Sequence, residues 1–280
     1  MLEFFEGDQA MGRFFFIAGC ARSGTTLLLD LMPSFKNLYA LTGVERHFSH
    51  FWKMEATDSN VLLKRDADTY LTLPDIAPDI NLIYAIRHPF DTLTSYHPEF
   101  PHRKFYVSEH RWRREYAALR QLRLRQPART ITYVRYCDLV TSPDSLQKYL
   151  ATSLDLEIRC PFSLSGVVLS TNSIKKYEND RELERYLWLL PHGLRQELKE
   201  FCDEFGYELP SGYVRAPSLI GDGFRRIIVP IRARKWPMTA RVAPRLIARS
   251  LKHPRQALRE LSRLLRRPSR VGTGVHRLGK

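Results

Sequence analysis

The stretch FFFIAGCARSGTTLLLDLM, residues 14–32, decides the fold. An apolar run, a loop of small residues and a leucine-rich helical pattern follow one another, and Gly19 and Gly24 have the spacing G-x-x-x-x-G. A strand feeding such a loop into a helix turns backbone N–H groups toward an anion. Gly19, Ala21, Arg22, Ser23, Gly24, Thr25 and Thr26 are therefore candidate phosphate-binding residues. A kinase or NTPase places lysine after the second glycine and an acid at a following strand end, to handle a polyphosphate with magnesium. Here Thr25 holds the lysine position, and the strand-like NLIYAI ends in Arg87-His88-Pro89. Arg22, inside the loop, offers a planar fork for two oxygens of a tetrahedral anion. That set suits one phosphate carrying a sulfuryl group, whose transfer develops less negative charge than phosphoryl transfer and can proceed without a metal. A glycine turn with a surface arginine is the plain alternative.

Working outward, strands are expected at Arg13–Ala18, Val61–Lys64, Leu82–Ile86 and Thr130–Arg135, each short and apolar or β-branched. Helices are expected after Thr25 and at Asp91–Tyr96, Ser108–Leu124, Pro143–Leu150, Asp180–Leu190 and His192–Phe205. Alternating strands and helices predict a parallel sheet with right-handed crossovers. Near-continuous apolar strands place that sheet between two helical layers. The expected fold is thus α/β, a three-layer P-loop NTPase-like fold with a central parallel sheet flanked by helices.

The net charge of +14 is unevenly distributed. Residues 215–280 hold 18 Lys/Arg against 2 Asp/Glu, while residues 1–214 hold 26 against 28. We therefore expect a domain over 1–214 and a basic, partly helical extension over 215–280. In PRQALRELSRLLRR, Leu258, Leu261 and Leu265 recur at helical spacing beneath an arginine-rich face. Cys20, Cys137, Cys160 and Cys202 form no CxxC pair, so neither a zinc site nor a disulfide framework is expected. Cys20 alone lies where a helix N-terminus can lower a thiol pKa. No apolar run approaches the roughly 20 residues that span a bilayer. The first residues do not read as a signal peptide, and the expected location is the cytoplasm.

ARSGTTLL resembles the 5′-phosphosulfate loop of the sulfotransferase superfamily that uses 3′-phosphoadenosine 5′-phosphosulfate (PAPS), in the arginine version of tyrosylprotein and many bacterial members. IRHPFDTLTSYH is similar to the family segment in which an arginine and a serine eight positions apart, here Arg87 and Ser95, bind the 3′-phosphate. ITYVRYCDLVTSPDSLQKYLATSLDLE resembles its strand-loop-helix segment RYEDLV…P…L…L, with Cys137 in place of the glutamate. LSTNSIKKY is similar to S-x-G-K-W, matching Ser173, Lys176 and Tyr177, with Lys175 replacing glycine. There the resemblance implies Lys176 at the 3′-phosphate and Tyr177 near the adenine. Together the matches cover about residues 13–206. PAPS is the implied co-substrate, with no metal.

Transfer to an alcohol needs a base for the acceptor hydroxyl. In TGVERHFSHF the string E-x-H-F resembles the carbohydrate branch, and it implies Glu45 as that base, with His47 as second choice. A solvated helix-start carboxylate and an ordinary histidine are the plain alternatives. Lys64, ending VLLK, matches a lysine that contacts the transferring group; a bland strand-end lysine is the alternative. The implied acceptor is a glycan, glycolipid or other small-molecule hydroxyl, with residues 95–112 as one wall of its site. The basic extension suits an anionic membrane surface, and nucleic acid is not the expected partner. A P-loop nucleotide or small-molecule kinase and a non-catalytic anion or nucleic-acid binder remain the rival readings.

Overall fold

In the computed structural model, residues 12–54, 59–66, 69–96, 105–172 and 174–214 are described. β1 (Phe14–Gly19) is buried along nearly its whole length, which its uninterrupted apolar sequence requires. It pairs in parallel with β3 (Asn60–Arg65) on one side and β4 (Asn81–Ile86) on the other. β2 (Leu38–Arg46) lies outside β3, and β5 (Ile131–Arg135) lies outside β4. The order is β2-β3-β1-β4-β5, every neighbour parallel. The chain leaves β1 toward one edge and returns to its other side as β4. The crevice at the carboxyl ends of β1 and β4 is therefore a topological switch point, where open α/β sheets bind ligands.

Side-chain alternation divides the sheet's two faces. Phe15 and Ile17 of β1, with Leu62, Ile83 and Val134, pack against Leu28, Leu29 and Leu31 of α1 (Thr25–Leu31) and Leu146 and Leu150 of α5 (Pro143–Leu154). Fully burying one such side chain contributes about 1.5–3 kcal/mol. The opposite face carries Phe16, whose ring meets Phe48 and Phe51 of the 3-10 turn Phe48–Lys53. It also meets α3 (Glu109–Arg125) and α7 (His192–Phe205), through Arg123–Tyr133 and Tyr133–Phe205 contacts. Ion pairs Arg113–Glu197, Arg120–Glu200 and Arg123–Glu204 tie α3 to α7.

All four expected strands form, and the expected fold class is present. Three elements differ from expectation. The helix expected at Asp91–Tyr96 is α2, Pro89–Leu93: Pro89 occupies the first turn and His88 caps it, while Tyr96 instead bridges Phe105. β2 was not expected, and α4 (Tyr136–Thr141) is a further short helix between β5 and α5. Near the end of the body, α6 (Arg181–Trp188) falls within the expected span. Among the described residues, no helix is long and apolar enough to cross a membrane. Residues 215–280, with the extension and its leucines, lie outside the described residues.

Candidate active site

The loop after β1 depends on its two glycines. Gly19 has φ +144, and a Cβ there would lie 2.4 Å from the Ala85 carbonyl oxygen of β4. Gly24 has φ +97, and a Cβ there would lie 2.6 Å from the ring of Tyr136. Both positions combine left-handed backbone with contact that excludes a side chain. Between them Arg22 also has positive φ, and its side chain is exposed. Gly24 brings no capping side chain to α1, so the helix's first-turn N–H groups face the loop without one. Ser23 Oγ is buried and has no hydrogen-bond partner. A buried hydroxyl left in this condition beside free N–H groups is what an oxyanion site offers.

Arg87, at the carboxyl end of β4, joins this loop to the second predicted segment. Its Nη1 donates to the Arg22 carbonyl at 2.9 Å and lies 3.5 Å from Ser95 Oγ. The guanidinium rests on the Tyr136 ring, 4.4 Å from the centroid. Burial pushes its pKa down, against the pull of Asp91. Ser95 Oγ donates to the Asp91 carbonyl at 2.6 Å, one turn back. One arginine thus touches both the loop after β1 and the segment that follows β4.

The third group gathers across β2 and β3. Glu45 and Lys64 are register partners. Lys64 Nζ lies 2.6 Å from Glu45 Oε1 and donates to Thr26 Oγ1 at 2.7 Å. The lysine side chain is 6% exposed and the glutamate 53%, so the carboxylate is open to an incoming molecule while the cation is enclosed. Arg65, one residue on, points to the other face and pairs with Glu115. Strand alternation therefore assigns Lys64, not Arg65, to the loop side.

His47 is engaged at both nitrogens. Nδ1 accepts from Ser49 N–H at 3.1 Å, and Nε2 lies 2.6 Å from Thr72 Oγ1. Nδ1 also lies 2.8 Å from Ser49 Oγ, so both ring nitrogens already have partners. The Glu45 carboxylate, by contrast, is half exposed.

Ser173 lies outside the described residues, as does the Lys176 side chain. Tyr177 is buried, stacked on His88 and edge-on to Phe90. Lys175 has φ +50 and ψ +30, the left-handed geometry that glycine adopts freely, and its N–H donates to Asp91 Oδ2 at 3.1 Å. The glycine of the resembled motif S-x-G-K-W at this position thus has a backbone reason. Left-handed geometry costs a non-glycine residue about 1–2 kcal/mol, part of which glycine's greater unfolded-state entropy offsets. Lys175→Gly is expected to raise stability by about 0.5–1 kcal/mol, measured by urea denaturation. A loss of stability would show that the lysine side chain outweighs its backbone.

Cys20 is an ordinary packed thiol and not an activated one. Burial, with Glu115 adding to it, pushes the thiol well above the ordinary range, so the helix N-terminus does not make it a thiolate. Cys137 contacts Asp138 at 3.4 Å, and burial raises its pKa too. Among the described residues, no three His, Cys, Asp or Glu side chains are grouped to hold a metal ion.

Three residues in contact with this site were not singled out from sequence: His88, Asp91 and Tyr136. All lie inside the quoted strings IRHPFDTLTSYH and ITYVRYCDLV, which is the signal that could have found them.

No protein-family model matches the chain, and no curated protein matches it by sequence. Solved structures do. The sulfotransferase domain from the olefin synthase of Synechococcus PCC 7002 is 16% identical, with a TM-score of 0.52, covering 71% of this chain and 96% of that domain. The likeness is one of fold. A sulfotransferase domain from the curacin biosynthetic pathway is also similar, at 17% identity and a TM-score of 0.48, covering 71% of this chain and 99% of that domain.

Proposed function

We propose that this protein is a sulfotransferase that moves the sulfuryl group of PAPS to a hydroxyl of a carbohydrate, glycolipid or other small molecule. The observation that carries the reading is the cluster Thr26–Lys64–Glu45 beside the loop, with a proton acceptor and a cation 2.6 Å apart. The Arg87 bridge adds to it, because PAPS has anionic groups at both its 5′ and 3′ ends. The donor set fits such a molecule: Arg22, Ser23 and the N–H groups at one end, Arg87 and Ser95 at the other.

PAPS supplies a sulfuryl group already activated on a phosphate. Arg22 and the loop N–H groups hold the 5′-phosphate in line, and Arg87 with Ser95 holds the 3′-phosphate. Lys64, enclosed and therefore weakly screened, offsets the charge that develops on the departing oxygen. Glu45, on the exposed side of the cluster, takes the acceptor proton as its oxygen bonds to sulfur. Positioning and electrostatics supply the acceleration. Ser173 and Lys176 complete the 3′ side in this proposal, with Tyr177 holding that segment.

Adenosine 3′,5′-bisphosphate is expected to raise the melting temperature without magnesium: at 100 times its Kd it adds about 2.7 kcal/mol. A shift seen only with ATP and magnesium would instead assign the chain to the kinases. A screen of acceptor pools with labelled PAPS then reads out the acceptor.

The proposal extends to residues 215–280 as a contact for anionic membrane surfaces, supported by their charge and by Leu258, Leu261 and Leu265. The full chain is expected to co-sediment with phosphatidylserine vesicles and a chain ending at 214 to remain in solution. Equal binding of both would remove this part.

A further inference from the structure

His88 stands where three segments meet, and none of the proposed catalytic or co-substrate roles uses its side chain. Its Nδ1 accepts from Phe90 N–H at 3.2 Å, capping α2, and its Nε2 lies 3.0 Å from the Glu208 carbonyl oxygen. A backbone N–H only donates and a carbonyl only accepts, so the ring is neutral with its proton on Nε2. The ring stacks on Tyr177 at 5.4 Å and 27° and meets Tyr207 edge-on at 5.4 Å. Tyr207 in turn donates to the Ile86 carbonyl at 3.4 Å. The segment after α7 therefore holds the chain on both sides of Arg87, at Ile86 through Tyr207 and at His88 through Glu208.

We propose that His88 is a positioning residue for the 3′-phosphate side of the co-substrate site, and that its two directed hydrogen bonds hold the Arg87-to-Ser95 segment in its binding geometry only while the ring is neutral. The proposal rests on the sulfotransferase reading. Protonation of Nδ1 replaces its acceptor with a second donor facing Phe90 N–H. The cap is then lost while Nε2–H still donates to Glu208, so the start of the helix between Arg87 and Ser95 is held by one of the ring's two bonds instead of both.

The groups facing the ring set the direction of its titration. Asp91 lies on its own helix, Lys175, Tyr177 and Glu178 on the segment beneath it, and Tyr207 and Glu208 on the segment after α7. Burial opposes the charged ring and, with Lys175, prevails over the Glu208 carbonyl bond, Asp91 and Glu178, so the pKa is lowered. The released imidazole, with its ordinary value of about 6.5, takes a proton before the held one does. Affinity for the 3′-phosphate is thus full at neutral pH and falls as pH drops below about 6.5.

Calorimetric titration of adenosine 3′,5′-bisphosphate between about pH 5 and 8 tests this, on wild type, His88→Ala and His88→Asn. Loss of one helix cap corresponds to about a tenfold weaker Kd in His88→Ala at neutral pH. Asparagine's amide oxygen accepts from Phe90 N–H without titrating. His88→Asn is therefore expected within about threefold of wild type at neutral pH, without the histidine-dependent acid loss. A merely structural histidine would give neither the rescue nor the changed pH profile. Wild-type affinity in His88→Ala, or an acid loss that persists unchanged in His88→Asn, overturns the proposal. Failure of the wild type to bind the bisphosphate at any pH overturns the sulfotransferase reading and this proposal with it.

Discussion

Glu45→Gln is expected to lower turnover at saturating PAPS by about 10²- to 10⁴-fold, the usual contribution of a positioned general base. Affinity for adenosine 3′,5′-bisphosphate is expected to stay within about twofold, because the residues proposed to hold its two ends lie elsewhere. The substitution isolates the proton step. Glutamine keeps the side-chain length and an oxygen that can accept from Lys64 Nζ, which now lies 2.6 Å from Glu45 Oε1. It removes the capacity to take a proton. The side chain is half exposed at the end of an edge strand, so little packing is at stake. Near-normal turnover would remove Glu45 from the mechanism. His47 could replace it only by giving up its bond from Ser49 N–H.

The sequence made the centre of the sheet legible and its edge illegible, for a physical reason. β1 and β4 are buried on both faces and read as unbroken apolar runs, FFFIA and NLIYAI. β2 lies at the edge, contains Gly43, and shifts register between Ala40 and Glu45, so no alternation marks it. As a result local pattern does not show that Glu45 lies at a strand end, and its plain alternative, a helix-start carboxylate, does not hold. Its pairing with Lys64 comes from register between segments separated in sequence, and such contacts are absent from local pattern. The Arg87–Arg22 bridge and the His88–Glu208 bond are likewise long-range. By contrast, the glycine positions were legible, because each needs a backbone that other residues resist.

Glu115→Ala is expected to destabilise the fold by about 3–5 kcal/mol, read by urea denaturation. Arg65 Nη2 donates to Glu115 Oε1 at 2.9 Å, with side chains 5% and 2% exposed, and Arg111 Nε reaches the same oxygen at 3.3 Å. Burial pushes the Glu115 carboxyl up while both arginines pull it down. Removing the acid leaves a buried guanidinium whose Nη1 already lacks a partner. Most of the expected loss comes from that orphaned charge and not from the attraction itself. The double substitution Arg65→Met with Glu115→Leu is therefore expected to recover most of the stability, because it removes both desolvated charges and fills the space with apolar atoms. A single-substitution loss below about 1 kcal/mol would show that water or another acceptor reaches Arg65. The pair also has a functional consequence. Arg65 directly follows Lys64 on β3, so anchoring Arg65 to α3 on one face fixes the strand end whose other face presents Lys64 to Thr26 and Glu45. If that anchoring is its role, the apolar double variant folds stably yet turns over more slowly, with Lys64 held less firmly. Normal stability together with normal turnover would reduce the pair to packing alone.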